Sequence, residues 1–205
     1  MKGYQKGVLS RERLISQSRE IFNESGLNIT LSNLAQRLGI TLGMLTYHFS
    51  TKDHLFIAIA EEYEMKFAEL SKRMGNQQLT LQYLITYAMK VMDLQYEYRC
   101  AIRYVTISSK NQTELSSHIN DSYRNSKESI LQMVQALVKS GELNDSLLNE
   151  SNFRIFLFCF SCLFTSWPFI LEIYDNSENY TDLKPIYLRG IFSALLELDE
   201  SISFA

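Results

Sequence analysis

The sequence has little of what tight turns and cross-links are made of. Among 205 residues there are 2 Pro, 8 Gly and 3 Cys. An all-β chain of this length needs many turns, and turns draw heavily on Gly and Pro. Their scarcity argues against a sandwich or barrel and favours long helices on short connections. An odd number of cysteines without framework spacing argues against a disulfide scaffold and fits a reducing, cytoplasmic setting. Cys159-Phe160-Ser161-Cys162 has CxxC spacing. Its neighbours Phe158, Leu163 and Phe164 are apolar and no cation is adjacent, surroundings that raise a thiol pKa. These cysteines are therefore expected to be buried packing rather than a redox pair.

Positive charge is also short, with a formal net charge of −3. That argues against a uniformly basic nucleic-acid binder. The charge is uneven, however. Residues 1–55 hold seven Lys/Arg against four acids, a net +3, and the remainder carries −6. A basic head on an acidic body is a local footprint for a polyanion. The opening MKGYQKGVLSRER has no apolar core of a secretory signal. One long apolar run, IFLFCFSCLFTSWPFIL at 155–171, is short of the ~20 residues of a spanning helix. It contains Ser161, Thr165, Ser166 and Pro168 and is closed by Arg154 and Glu172. A helix buried in a bundle or a subunit interface is apolar all round too, so no membrane is expected.

What is present is helical periodicity. Ser10 is a candidate cap for a helix with Leu14, Ile15, Ser18, Ile21 and Phe22 on one face, stopped at Gly26. Thr30 caps a short helix carrying Leu34 and Leu38. Gly39-Ile40-Thr41 breaks it, and a second short helix runs to about His48. Ser50 and Asp53 have the spacing of a capping box for a long helix with Leu55, Ile59, Tyr63 and Phe67 facing in, to about Arg73. Further helices are expected at about 80–96, 99–109, 112–140, 150–174 and 182–199.

Two short helices around a Gly-containing turn read as a DNA-binding helix-turn-helix. Ala35 permits close approach of the helices. Gly39 takes the tight turn, where positive φ is cheap only for Gly. Leu34, Leu38, Ile40 and Leu45 set the crossing. The second helix then presents Thr41, Leu42, Gly43, Met44, Thr46, Tyr47 and His48 outward. Leu42 and Met44 have no hydrogen-bonding groups and are suited only to apolar features such as thymine methyls. Lys52, in the first turn of the next helix, is placed for a phosphate at that N-terminus. Thr30 and Arg37 are further candidates for the DNA backbone.

Residues 10–55 resemble the TetR/AcrR family of bacterial transcriptional regulators. The matching residues are Ile21-Phe22, Gly26, Thr30, Leu34-Ala35, Gly39-Ile40-Thr41, Leu45-Thr46-Tyr47-His48-Phe49 and Thr51-Lys52-Asp53-His54-Leu55. One departure is Thr46, where the family usually has tyrosine directly after the leucine. The phosphate bond of that tyrosine is then made by the Thr46 hydroxyl or lost. The resemblance implies an all-α fold. Its parts are a three-helix helix-turn-helix domain (1–55) and a helical ligand-binding and dimerisation domain (56–205). It also implies a homodimer through residues 150–174 and 182–199, a palindromic double-stranded DNA operator, and a repressor released by a small-molecule inducer. Aromatic residues on the helices that would surround a pocket include Tyr83, Tyr96 and Phe156. Tyr87, Tyr104, Phe160 and Trp167 are the pocket candidates, with Arg103 for an anionic group.

Enzyme chemistry finds no support in the pattern. His48 and His54 are six apart, whereas helical metal pairs want four. His118 stands without a triad, and there is no Gly-rich phosphate loop. No metal, cofactor or catalytic residue is expected. The competing reading is a helical-bundle carrier or enzyme for a lipid or other apolar molecule, with the helical hairpin incidental.

Overall fold

The computed structural model describes residues 2–74, 78–108, 127–174 and 179–196. All regular structure among them is helical. In chain order the helices are α1 Lys2–Ser25, α2 Leu31–Arg37, α3 Leu42–His48, α4 Lys52–Met74, α5 Leu81–Glu97 and α6 Arg99–Ser108. Then come α7 at 127–139, a 3-10 turn Asp145–Leu148, α8 Glu150–Tyr174 and α9 Tyr180–Leu196. The expected all-helical architecture is what the chain adopts. The start of the 112–140 helix and the end of the 182–199 helix fall outside the described residues, as does His118.

Three boundaries differ from expectation. α1 begins at Lys2, so Ser10 lies inside it rather than capping it. The α4 cap is Thr51, whose hydroxyl accepts from the His54 N–H at 3.2 Å. Ser50 instead holds the His54 ring, Oγ to Nδ1 at 2.7 Å. α9 starts two residues early because the Asn179 side-chain oxygen accepts from the Thr181 N–H at 3.1 Å.

The residues divide into two compact units, Met1–Glu69 with Leu94–Ser116 and Leu70–Asp93 with Ser117–Ala205. In the first, Leu14, Ile15 and Phe22 of α1 pack with Leu34 and Ala35 of α2, Leu45 of α3, Phe49, and Leu55, Phe56, Ala58 and Ile59 of α4. Leu34, Leu45, Leu55 and Ile59 are fully buried. Each such aliphatic side chain contributes about 1.5–3 kcal/mol of burial.

The same unit contains a buried charge. Arg19, 7% exposed, pairs with Glu97 at 2.8 Å and Glu62 at 3.4 Å. Its guanidinium lies 4.4 Å from the centre of the Tyr98 ring. Asn23 adds two bonds across the α5–α6 break, donating to the Glu97 carbonyl at 2.7 Å and accepting from the Cys100 N–H at 3.0 Å. Burial pushes the Cys100 thiol up to about 12, so it stays protonated and donates to the Arg19 carbonyl at 3.7 Å.

In the second unit, Val134 of α7 packs with Phe153, Phe156 and Leu157 of α8. The Glu142 carboxylate accepts from the Leu81 N–H at 2.6 Å and so caps α5, where the helix dipole favours an anion. Trp167 stacks on Tyr180 at 5.1 Å. Asp93 receives Lys184 at 2.8 Å and the Tyr180 hydroxyl at 3.0 Å. Along α8, Ile155, Phe158, Ile170 and Ile173 are exposed. Cys162 is exposed as well, against the expectation that both α8 cysteines are buried, while Cys159 is half-buried. No single helix among the described residues is long and apolar enough to cross a membrane; Glu150–Cys162 and Ser166–Ile173 reach that composition only as a pair bent by 46°.

Candidate nucleic-acid interface

The orientation of α3 follows from the turn before it. Gly39 has φ +68, a conformation in which side chains are strained. Its N–H bonds to the Gln36 carbonyl at 3.1 Å, and the Ile40 N–H reaches the Ala35 carbonyl at 3.0 Å. This pair of bonds is a Schellman stop, which satisfies the last carbonyls of α2 and turns the chain sharply. Both short helices are capped by threonine: the Thr30 hydroxyl accepts from the Asn33 N–H and the Thr41 hydroxyl from the Met44 N–H, each at 3.2 Å. Leu45 then anchors α3 from below with no exposed surface, and Phe49 closes it, its N–H on the Leu45 carbonyl at 2.9 Å.

With Leu45 facing in, the opposite side of α3 faces out. Leu42 is 44% exposed, Met44 45% and Tyr47 85%. A side chain added at Gly43 would meet nothing within 4 Å. His48 is half-buried, with its ring edge-on to Tyr47 at 5.1 Å. Thr46 is half-buried and donates back to the Leu42 carbonyl at 3.0 Å, with the Gly43 carbonyl at 3.3 Å. Its hydroxyl proton is thus engaged within its own helix.

The flanking cations are held by the head itself. Arg37 is exposed and donates to the Ser25 hydroxyl. Lys52 donates to the Leu27 carbonyl, with its ammonium over the Phe22 and Phe56 rings at 5.6 and 5.9 Å. Burial lowers the Lys52 pKa, and Asp53 beside it acts the other way. These partners, 12 and 25 residues away in sequence, leave no periodic signal and were not foreseeable. The Ser50–His54 bond, four residues apart at a helix start, was within reach of sequence reasoning.

The head is a helix-turn-helix with a protruding second helix, and its sequence carries a family mark. The sequence profile of the bacterial regulatory proteins of the tetR family matches residues 14–59. The match covers the helix-turn-helix head, 46 of the 205 residues. A solved TetR-family transcriptional regulator from Marinobacter aquaeolei VT8 is similar over 94% of this chain and 94% of its own, with 22% identity and a TM-score of 0.74. SmeT, solved in complex with triclosan, is similar over 95% of this chain and 94% of its own, with 15% identity and a TM-score of 0.65. No curated protein matches the chain. Residues 14–59 thus carry the helix-turn-helix signature of that family, and the chain shares the fold of these solved structures.

The pocket candidates fall in both units. Tyr104 stacks flat on Phe56 at 3.9 Å and packs against the core of the first unit, where Arg103 is exposed. In the second unit Tyr87 shares a 2.7 Å hydrogen bond with Ser71, and burial raises its pKa. Phe160 stacks on Phe156 at 5.6 Å, and Trp167 is buried against Tyr180. Of the further aromatics, Tyr83 is half-buried on α5, and Tyr96 carries the Arg99 guanidinium over its ring at 4.3 Å. Among the described residues there is no group of three or more His, Cys, Asp or Glu able to hold a metal ion.

Proposed function

We propose that the protein is a homodimeric repressor that binds a palindromic operator and is released by a small apolar or aromatic ligand. The observation that carries this reading is the outward face of α3, with Leu42, Met44 and Tyr47 exposed on a head of charge +3. Residues 1–55 serve as the DNA-binding part and 56–205 as the part for ligand and dimerisation. Thr30, Arg37, Thr41, Leu42, Gly43, Met44, Thr46, Tyr47, His48 and Lys52 form the DNA surface. For Lys52, a phosphate would compete with the Leu27 carbonyl for the ammonium.

Dimerisation is supported by α8. Ile155, Phe158, Ile170 and Ile173 recur at helical spacing and are exposed, a stripe that a second copy would cover. Ile186 of α9 is exposed too. A two-fold pair sets its recognition helices about 34–36 Å apart, one turn of duplex. A ligand that binds the DNA-incompetent arrangement better shifts the population away from the operator. The aromatic residues of the body and the triclosan held by SmeT support an apolar, aromatic ligand.

The test is gel retardation on the DNA upstream of the chain's own coding region. Retention at low salt that weakens as salt rises is the expected result, because phosphate contacts release counterions. Absence of retention at low salt would sink the proposal. The alternative carrier reading predicts that absence together with a co-purifying lipid or cofactor.

A further inference from the structure

We infer that the regulator recognises its operator through thymine methyl groups in the major groove, and that Leu42 and Met44 are the residues that read them. The inference rests on the DNA-binding reading above and specifies what that surface reads.

A recognition helix meets base edges with its N-terminal residues. Here these are Thr41, Leu42, Gly43 and Met44, and between them they offer no long polar side chain. Guanine is distinguished by Arg or Lys, and adenine by Asn or Gln, through paired hydrogen bonds. None of those residue types occurs from 41 to 48. The Thr41 hydroxyl accepts the Met44 N–H, and the Thr46 hydroxyl donates to the Leu42 carbonyl. The remaining polar groups, Tyr47 and His48, lie at the far end of the helix.

Leu42 and Met44 are nearly half exposed although neighbouring Leu45 is fully buried. They flank Gly43, where a Cβ would meet open space. The result is two apolar projections with a low backbone between them, which lets the helix settle close to a base pair. The apolar feature that major-groove base edges present is the C5 methyl of thymine. The +3 head supplies attraction to the phosphates but carries no sequence information. Discrimination therefore falls to apolar contact.

The test selects duplexes from a randomised pool with the full-length protein, then replaces each thymine of the selected duplex by uracil. Uracil keeps every hydrogen-bonding group and removes only the methyl. Each contacted thymine should weaken binding about fourfold, and the symmetric pair of substitutions about fifteenfold, as expected for about 0.8 kcal/mol per buried carbon group. In Leu42→Ala or Met44→Ala, both at exposed positions, the thymine–uracil difference should shrink at specific positions. If binding persists and no replacement changes affinity more than twofold, the inference is overturned while the regulator reading stands. If the pool yields no retained duplex, the regulator reading fails and this inference fails with it.

Discussion

Phe49→Ala is expected to destabilise the head by about 3–5 kcal/mol, in the range of buried aromatic truncations. Phe49 is 1% exposed, terminates α3 and lies beneath the Arg11 guanidinium at 5.2 Å. Its ring supports the end of α3 that carries Tyr47 and His48. Removing it leaves a cavity in the core of the first unit that a short helix cannot collapse to fill. Duplex binding should be lost together with stability. Met44→Ala is the comparison, since truncating a side chain 45% exposed should change stability by no more than about 0.5 kcal/mol. Urea unfolding followed by circular dichroism measures both. A Phe49→Ala variant within 1 kcal/mol of the parent would show that the residue is not core.

The second large effect concerns Arg19. Removing both carboxylates, Glu62→Ala with Glu97→Ala, strands a guanidinium whose side chain is 9% exposed. An uncompensated buried charge should lower stability by about 3 kcal/mol. Arg19→Met should cost less, about 1 kcal/mol, because Glu62 and Glu97 are 27% and 42% exposed and can regain water. The order of the two effects is the informative result. A larger loss from Arg19→Met would mean that stacking on Tyr98 outweighs the ion pairs.

This asymmetry shows where sequence reading stopped. The head was legible because its signals are local: a threonine three residues before the N–H it caps, glycines at the positive-φ turn positions 26 and 39, and leucines at helical spacing. The outward set on α3 followed once Leu45 was assigned to the core. Arg19 with Glu97, Lys52 with the Leu27 carbonyl, and Tyr104 on Phe56 are pairs separated by 25 to 78 residues, and no periodicity predicts them. Tyr104 illustrates the consequence. The sequence offered it as a pocket candidate without any sign of its stacking partner, and its ring lies flat on Phe56. The α8 cysteines show the converse, since an apolar neighbourhood in sequence did not mean burial, and Cys162 is exposed.

The most direct test of the account is the affinity of Gly43→Glu for a duplex that the parent retains. Nothing in the protein lies within 4 Å of a Cβ at position 43. Glutamate is also a better helix former than glycine by roughly 0.5–1 kcal/mol, so the fold should be kept or strengthened. In the proposed complex, the substitution would set a carboxylate between Leu42 and Met44, close to the phosphates and base edges. The account predicts unchanged or higher unfolding stability with duplex binding abolished. A stable Gly43→Glu protein that binds the same duplex as tightly as the parent would contradict it, because the outer face of α3 would then not meet DNA.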